Sequence, residues 1–208
     1  MTHASASAAT ALAGDLNRSG LPVSGVHGPN ETAAVLARAL SQAQGCGIER
    51  TKTLRIRELR EVAQVTSAPG QLRLAREDEL GQLSAWFEEL WVEAGGGLVG
   101  VTGLTVARRN FTADRLFVWD HYGPVSMASA TGATPNGIRV SGVYTPSAHR
   151  GHGYATSCVA TLSARLLAEG RGFCFLYTDA SNPTPNIIYQ RIGYLPVADV
   201  QEYRLVFS

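Results

Sequence analysis

Lysine is nearly missing from this chain: Lys52 is the only one among 208 residues. The resulting excess of arginine carries no functional meaning alone, because genome composition produces it as readily as function does. Charge of either sign is also scarce in net terms. A formal balance of +1 gives no electrostatic ground for nucleic acid or an anionic membrane as a general partner. Cysteine is limited to Cys46, Cys158 and Cys174. Their odd number and spacing suit neither a disulfide framework nor a metal site, and buried free thiols in a reducing cytoplasm are expected. No apolar run reaches the ~18 residues that span a bilayer. Residues 1–16 are rich in Ala, Ser and Thr without a basic region or a continuous apolar one, so they do not read as a signal peptide.

The residues that are present suit a globular chain. A hydrophobic share of 45% with 17% charged residues can build one substantial core, or one domain with an appendage. Residues 1–19 read as a tail, or as a short helix docked on a neighbour. Residues 20–66 form a helix–strand annex. Pro29, Asn30 and Glu31 open a helix whose Ala34, Leu36, Ala37 and Leu40 lie near one face, and Gly45 and Gly47 close it. Residues 53–57 alternate polar and apolar, as a half-buried strand does. One helix and one strand bury too little to fold alone, so the annex must pack on the larger C-terminal segment. Residues 66–70, Thr-Ser-Ala-Pro-Gly, read as a linker.

From Gln71 the expected order is strand, helix, helix, strands, then strand–helix–strand–helix–strand. Glu77, Asp78 and Glu79 open a helix with Leu80, Leu83, Phe87 and Leu90 or Trp91 toward the core. Residues 116–119 and 124–128 are strands around the turn at 120–123. The run at 173–177 is continuously apolar, as expected of a strand covered on both faces. The pattern implies an α+β fold, a sheet flanked by helices on both faces.

Residues 138–194 carry the chemistry. A β-prone run at 138–144 stops at Thr145 and Pro146, and a glycine turn, Arg150, Gly151, His152, Gly153, Tyr154, Ala155, leads into a helix. A further strand ends at Asn182, and a short helix carries Tyr189. Glycine lets a backbone approach closely, and the first amides of a helix lack internal partners, so this turn is an anion site in waiting. A Walker loop is excluded, because Tyr154 and Ala155 stand where Lys and Ser or Thr are required. A dinucleotide fingerprint matches only in part: Asp179 sits near the next strand's end, but Thr156 replaces the third glycine or alanine.

The spacing of Arg150, Gly153 and Ala155 resembles the acyl-CoA pyrophosphate loop of the GNAT superfamily of N-acetyltransferases. Asn182, then Tyr189 seven residues on, then Gly193 and Tyr194 resemble a second segment of that superfamily, and Leu72 to Ala75 look like its first strand. Pro185 departs from the pattern, but a first helical turn tolerates it. The resemblance covers residues 71–208 and implies a mixed, mainly antiparallel sheet. The 20–66 annex resembles the partial second copy of the fold found in one GNAT subgroup.

Acyl transfer to an amine must lose the amine proton, stabilise an oxyanion and protonate a departing thiolate. The resemblance implies that Val143, Tyr144 and Thr145 contact the acyl-pantetheine arm, in a gap where their strand splays from the strand at 176–179. The Val143 amide is the expected oxyanion donor, ahead of Tyr144. Arg150, Gly151, His152, Gly153, Tyr154, Ala155 and Thr156 take the pyrophosphate, with the backbone of Arg150 a safer contact than its side chain. Asn182 touches the cofactor, and Tyr189 is the general acid. His149 and His152 read as surface or phosphate-adjacent residues. Asp179, Asp120 and His121 are candidates for a base that has no motif. Acetyl-CoA without a metal is the expected co-substrate, with a small-molecule or peptide amine as acceptor, and a homodimer stays open. Two rival readings remain: an acyl-CoA-binding module without turnover, and a nucleotide-binding protein using Gly151 to Gly153.

Overall fold

The computed structural model describes residues 4–96 and 100–207. The chain forms two compact units that do not follow its linear order. The first comprises Met1–Arg57, Tyr177–Pro183 and Pro196–Ser208, and the second Glu58–Leu176 and Thr184–Leu195. The C-terminal strand thus clusters with the N-terminal residues, although sequence places it at the end of the 71–208 segment.

In the first unit, α1 (Ala6–Ser19), β1 (Gly25–Pro29), α2 (Asn30–Gln44) and β2 (Gly47–Leu59, to Arg57) gather with the end of β7 (Phe173–Asp179) and most of β8 (Leu195–Val206). The strand order is β1-β8-β2-β7, and β1 pairs antiparallel with β8 from Gly25↔Arg204 to Pro29↔Val200. Residues 6–19 form a capped helix: Ser5 Oγ accepts from the Ala8 amide, and Gly20 closes the helix in the left-handed region. Ala9 and Ala13 pack with Leu36, Ala37, Leu40 and Leu205. The buried face of α2 contains Ala33 rather than the expected Ala34, because positions 33, 36, 37 and 40 share a helical stripe that 34 only borders. Gly45 ends α2 at φ 65°, as its place in the sequence suggests.

In the second unit the order is β7-β6-β5-β4-β3, with β3 (Gln71–Leu74), β4 (Leu116–Asp120), β5 (Pro124–Thr131) and β6 (Gly137–Tyr144) antiparallel in succession. Strands β6 and β7 pair in parallel, from Gly137↔Phe173 to Arg139↔Phe175. The mixed, mainly antiparallel sheet expected from sequence is therefore present. Successive residues of β4 face opposite cores: Phe117 and Trp119 join α5 (Tyr154–Ala168) through Val159, Leu162 and Leu166, whereas Leu116 and Val118 join α3 (Leu80–Glu93) and α4 (Gly103–Thr112). Helices thus cover both faces of this part of the sheet. Glu77–Glu79 form a 3₁₀ turn before α3, and Trp86 joins Leu80, Leu83 and Phe87 in its core stripe.

Strand β7 corrects one expectation. Cys174, Leu176 and Thr178 are buried, but Phe173, Phe175 and Tyr177 are half-buried, so the apolar run has one covered face. Aromatic bulk supplies apolar character on the other face, where Arg60 lies over the Phe173 ring at 5.2 Å. The strand also stops at Asp179 rather than Asn182. Among the described residues, no helix is long and apolar enough to cross a membrane.

Candidate active site

Strand β6 breaks its pairing where the site was expected. Opposite β5, Ser141 faces Ser129 and Tyr144 faces Met127, so Gly142 and Val143 together oppose Ala128. The extra residue makes a bulge, which bends a strand and takes its residues out of the ladder. Gly142 supports the bulge at φ 59°, and a Cβ there would stand 2.8 Å from Phe87 Cε1. Only glycine meets both demands. On the other side, the parallel register with β7 ends at Arg139↔Phe175. Residues from Val140 onward lie beyond that ladder.

The carbonyls after the bulge are engaged within the chain. Buried Ser126 donates to the Tyr144 carbonyl at 3.0 Å, and the Thr145 carbonyl accepts from Arg150 Nε at 2.9 Å. Thr145 Oγ1 is bonded to Ser126 Oγ at 2.8 Å. Val143 is half-buried, lies in the bulge, and packs on the same core as Tyr154 and Tyr189.

Both glycines of the turn lie in the left-handed region. Gly151 has φ 83° and Gly153 φ 78°, the latter as N-cap of α5 without a side-chain cap. Nothing lies within 4 Å of a Cβ built on Gly151, and only Ala68 Cβ, at 3.8 Å, neighbours one on Gly153. Among the described residues, the amides of Gly151, His152, Gly153, Tyr154, Ala155 and Thr156 have no partner; the first amide bonded is that of Ser157, to the Gly153 carbonyl at 3.0 Å. Open space above two glycines and six donors at a helix start fit a pyrophosphate. Residues 66–70 are pinned beside the turn: the Ala68 amide donates to Ser157 Oγ at 2.8 Å, and Trp119 Nε1 to the Pro69 carbonyl at 2.9 Å.

Side chains of the turn face elsewhere. Arg150 Nη2 donates to Glu93 at 2.6 Å, and its guanidinium lies 5.6 Å from the Tyr144 ring centre. Its backbone amide donates to the Ser147 carbonyl at 3.3 Å. His152 is exposed and stacks on Tyr154 with ring centres 5.5 Å apart. His149 is half-buried on the preceding 3₁₀ turn.

Tyr189 sits on α6 (Pro183–Ile192), which forms despite Pro183 and Pro185 because both occupy its first turn. The residue is 9% exposed, and its ring meets Tyr194 edge-on at 5.9 Å. No protein group among those described bonds its hydroxyl. Burial, and then the neighbouring Cys158, push the phenol up from its usual value. Cys158 is itself pushed up to about 12, mainly by burial, so it is a packing thiol and not a nucleophile. Asn182 belongs to the first unit, where its amide donates to the Asp179 carbonyl at 3.2 Å.

The candidate bases have other occupations. Asp120 accepts from the Gly123 amide and from Arg73 at 2.6 Å, which hold its carboxyl below the ordinary range. Asp179 is held down by the Ser181 hydroxyl and amide. His121 Nδ1 meets the Tyr154 hydroxyl at 3.2 Å. Sequence reasoning overlooked a pair of carboxylates: the hydroxyl of Tyr144 donates to Glu89 at 2.8 Å and reaches Glu93 at 3.4 Å. Burial, followed by these acids, pushes Tyr144 up to about 12. The available signal was two acids four residues apart on the polar side of α3.

Residues 123–205, which include the bulge, the glycine turn and Tyr189, match the family model described as FR47-like protein. No curated protein matches the sequence. Among 149 matching chains of solved structure is a GCN5-related N-acetyltransferase from Kribbella flavida, with TM-score 0.62 and 18% identity over 88% of this chain and 68% of that one. A GNAT-family acetyltransferase from Colwellia psychrerythraea gives TM-score 0.61 and 14% identity over 98% and 72%. A GCN5-related N-acetyltransferase from Sphaerobacter thermophilus gives 0.60 and 16% over 86% and 59%. The order of strands and helices that brings the bulge and the glycine turn together is thus an arrangement known from these proteins, and the chain has the fold of the GNAT superfamily.

Proposed function

We propose that the chain is an acyl-CoA-dependent N-acetyltransferase that moves an acetyl group directly from acetyl-CoA to an amine. The observation carrying this reading is the run of unpartnered amides from Gly151 to Thr156, which follows the bulged strand β6 after the 3₁₀ turn at Ser147–His149. These amides, aided by the positive end of α5, hold the pyrophosphate. The thioester is supplied by the bound acyl-CoA. The Val143 amide in the bulge donates to the oxygen that gains charge as the amine attacks. Fixed donors of this kind act without reorganisation, and loss of one costs roughly 10²–10³ in rate in enzymes where it has been measured.

Tyr189 then gives its proton to the departing sulfur. A phenol pushed up by burial stays protonated at neutral pH and has a hydroxyl to offer. Glu89, bonded to the residue after Val143, receives the amine proton through water. The acceptor is a small-molecule or peptide amine. Three buried free cysteines suit a reducing cytoplasm.

The test is thiol release from acetyl-CoA against a panel of amines. Release that requires an amine, with one acetylated product by mass spectrometry, supports the reading. Tight CoA binding with no release for any amine would leave a binding module in its place.

A further inference from the structure

Four aromatic rings form a row beside the glycine turn. Tyr122 meets His121 at 4.8 Å between ring centres with the planes tilted by 50°, His121 meets Tyr154 edge-on at 5.7 Å and 81°, and Tyr154 stacks on His152 at 5.5 Å with the planes 16° apart. Two of these residues, His152 and Tyr154, belong to the amide run itself, and the other two come from the turn between β4 and β5. The middle of the row is tied down by the bond between the Tyr154 hydroxyl and His121 Nδ1 at 3.2 Å. Its ends are open: His152 is exposed, and Tyr122 is 102% exposed. Tyr154 packs partly on the core, but a tyrosine in full solvent adds nothing to packing. The β4–β5 turn nevertheless holds Tyr122 at φ 58°, while the Gly123 amide donates to Asp120 and the His121 amide to the Gly123 carbonyl, each at 2.9 Å.

We propose that this row is a stacking platform for the adenine base of the acyl-CoA, with Tyr122 as its outer ring. The inference rests on the acyl-CoA reading of the glycine turn and extends it to the far end of the ligand. The chemistry that fits is an anionic group on the six amides joined to a flat heteroaromatic base on adjacent rings. Every nucleobase has a π-face, so rings can hold it without hydrogen-bond partners. The platform therefore contributes affinity and leaves the acyl end to the bulge and Tyr189.

Calorimetry on the full chain separates the possibilities, using CoA, 3′-dephospho-CoA and 4′-phosphopantetheine, which lacks the adenosine. Tyr122→Ala should weaken CoA and dephospho-CoA alike, by about fivefold or more, since loss of one stacking ring costs on that order. Tyr122→Phe should keep wild-type affinity, because only the hydroxyl is lost. Phosphopantetheine should bind wild type and Tyr122→Ala equally. Unchanged CoA affinity in Tyr122→Ala, or equal losses for CoA and phosphopantetheine, would overturn the platform while leaving the acyl-CoA site standing. A loss for CoA that vanishes with dephospho-CoA would overturn it too, by assigning Tyr122 to the 3′-phosphate. A wild-type chain that binds none of the three would overturn the acyl-CoA reading and this inference with it.

Discussion

Arg150 opens the glycine turn, yet its guanidinium turns back to Glu93 on α3, with Nη2 and Oε1 2.6 Å apart. Both side chains are about half exposed, 46% and 49%, so the pair adds little stability, ~0–1 kcal/mol. Arg150→Ala should therefore shift unfolding only slightly. CoA affinity measured by calorimetry should change less than for a backbone change in the turn. A hundredfold loss would mean that the guanidinium leaves Glu93 and grips phosphate.

Tyr189→Phe keeps the ring on its core and removes a hydroxyl that no described protein group bonds. Stability should hold, and so should CoA affinity. Turnover should fall by roughly 10²–10⁴, the usual contribution of a general acid. Burial pushes the phenol up, so the wild type should retain its donor through mildly alkaline pH. Single-turnover rates with a genuine acceptor check this; an undiminished rate would make Tyr189 a packing residue.

Gly153→Val puts a β-branched side chain at φ 78°, a region such residues rarely occupy, at a cost of about 1–3 kcal/mol. The fold should survive, since Ala68 Cβ lies an ordinary 3.8 Å from the new Cβ. The added bulk lies over the amide run, so CoA affinity should drop by about an order of magnitude or more. Equal affinity in a folded variant would remove the turn as the pyrophosphate site.

Acid should weaken the second unit through Arg73. Its guanidinium binds Glu79 at 2.5 Å and Asp120 at 2.6 Å, with side chains 19%, 6% and 20% exposed. Burial raises Glu79, but bonds from Arg73 and the Arg76 amide outweigh it and hold the acid below its ordinary value of 4.5. The Gly123 amide, then Arg73, hold Asp120 below 3.8. Stability from these ionised groups is complete above those values and is lost as pH falls through the lower folded ones. Tm should drop steeply below about pH 4.5, and the drop should be shallower in Arg73→Met, which is itself destabilised at neutral pH, by less than the ~3–5 kcal/mol of a fully unpaired buried charge because Arg76 still pairs with Glu79 at 2.8 Å. Thermal melts from about pH 7 to about pH 3 test both statements.

A chain beginning at Gln71 loses α1, β1, α2 and β2. In the first unit this uncovers Val200 and Leu205, 4% and 5% exposed in the whole chain. In the second it removes Leu59, 1% exposed, along with the Ala68 and Pro69 contacts beside the glycine turn. Such a chain should melt well below the full one and tend to aggregate. Leu59→Ala alone should cost about 2–5 kcal/mol. The annex lacks a glycine turn of its own, so calorimetry on the full chain should return one CoA, and two would contradict the assignment.

Local signals determined much of this molecule. Gly45 ends α2, Gly153 opens α5, and the prolines at 183 and 185 fall in a first turn, because backbone dihedral preferences act within a few residues. The open amides at the start of α5 were legible for the same reason: a helix start leaves its amides unpaired wherever it occurs. Tertiary structure decided the features that depend on neighbours distant in sequence. That Gly142 and Val143 bulge out opposite Ala128 is a property of two strands, which neither shows alone. One covered face of β7, the clustering of β8 with residues 1–57, the meeting of Tyr144 with Glu89 and the turn of Arg150 toward Glu93 are likewise pairwise facts. Composition and spacing fix which side chains a strand or helix can offer, and only packing selects the partner each one finds.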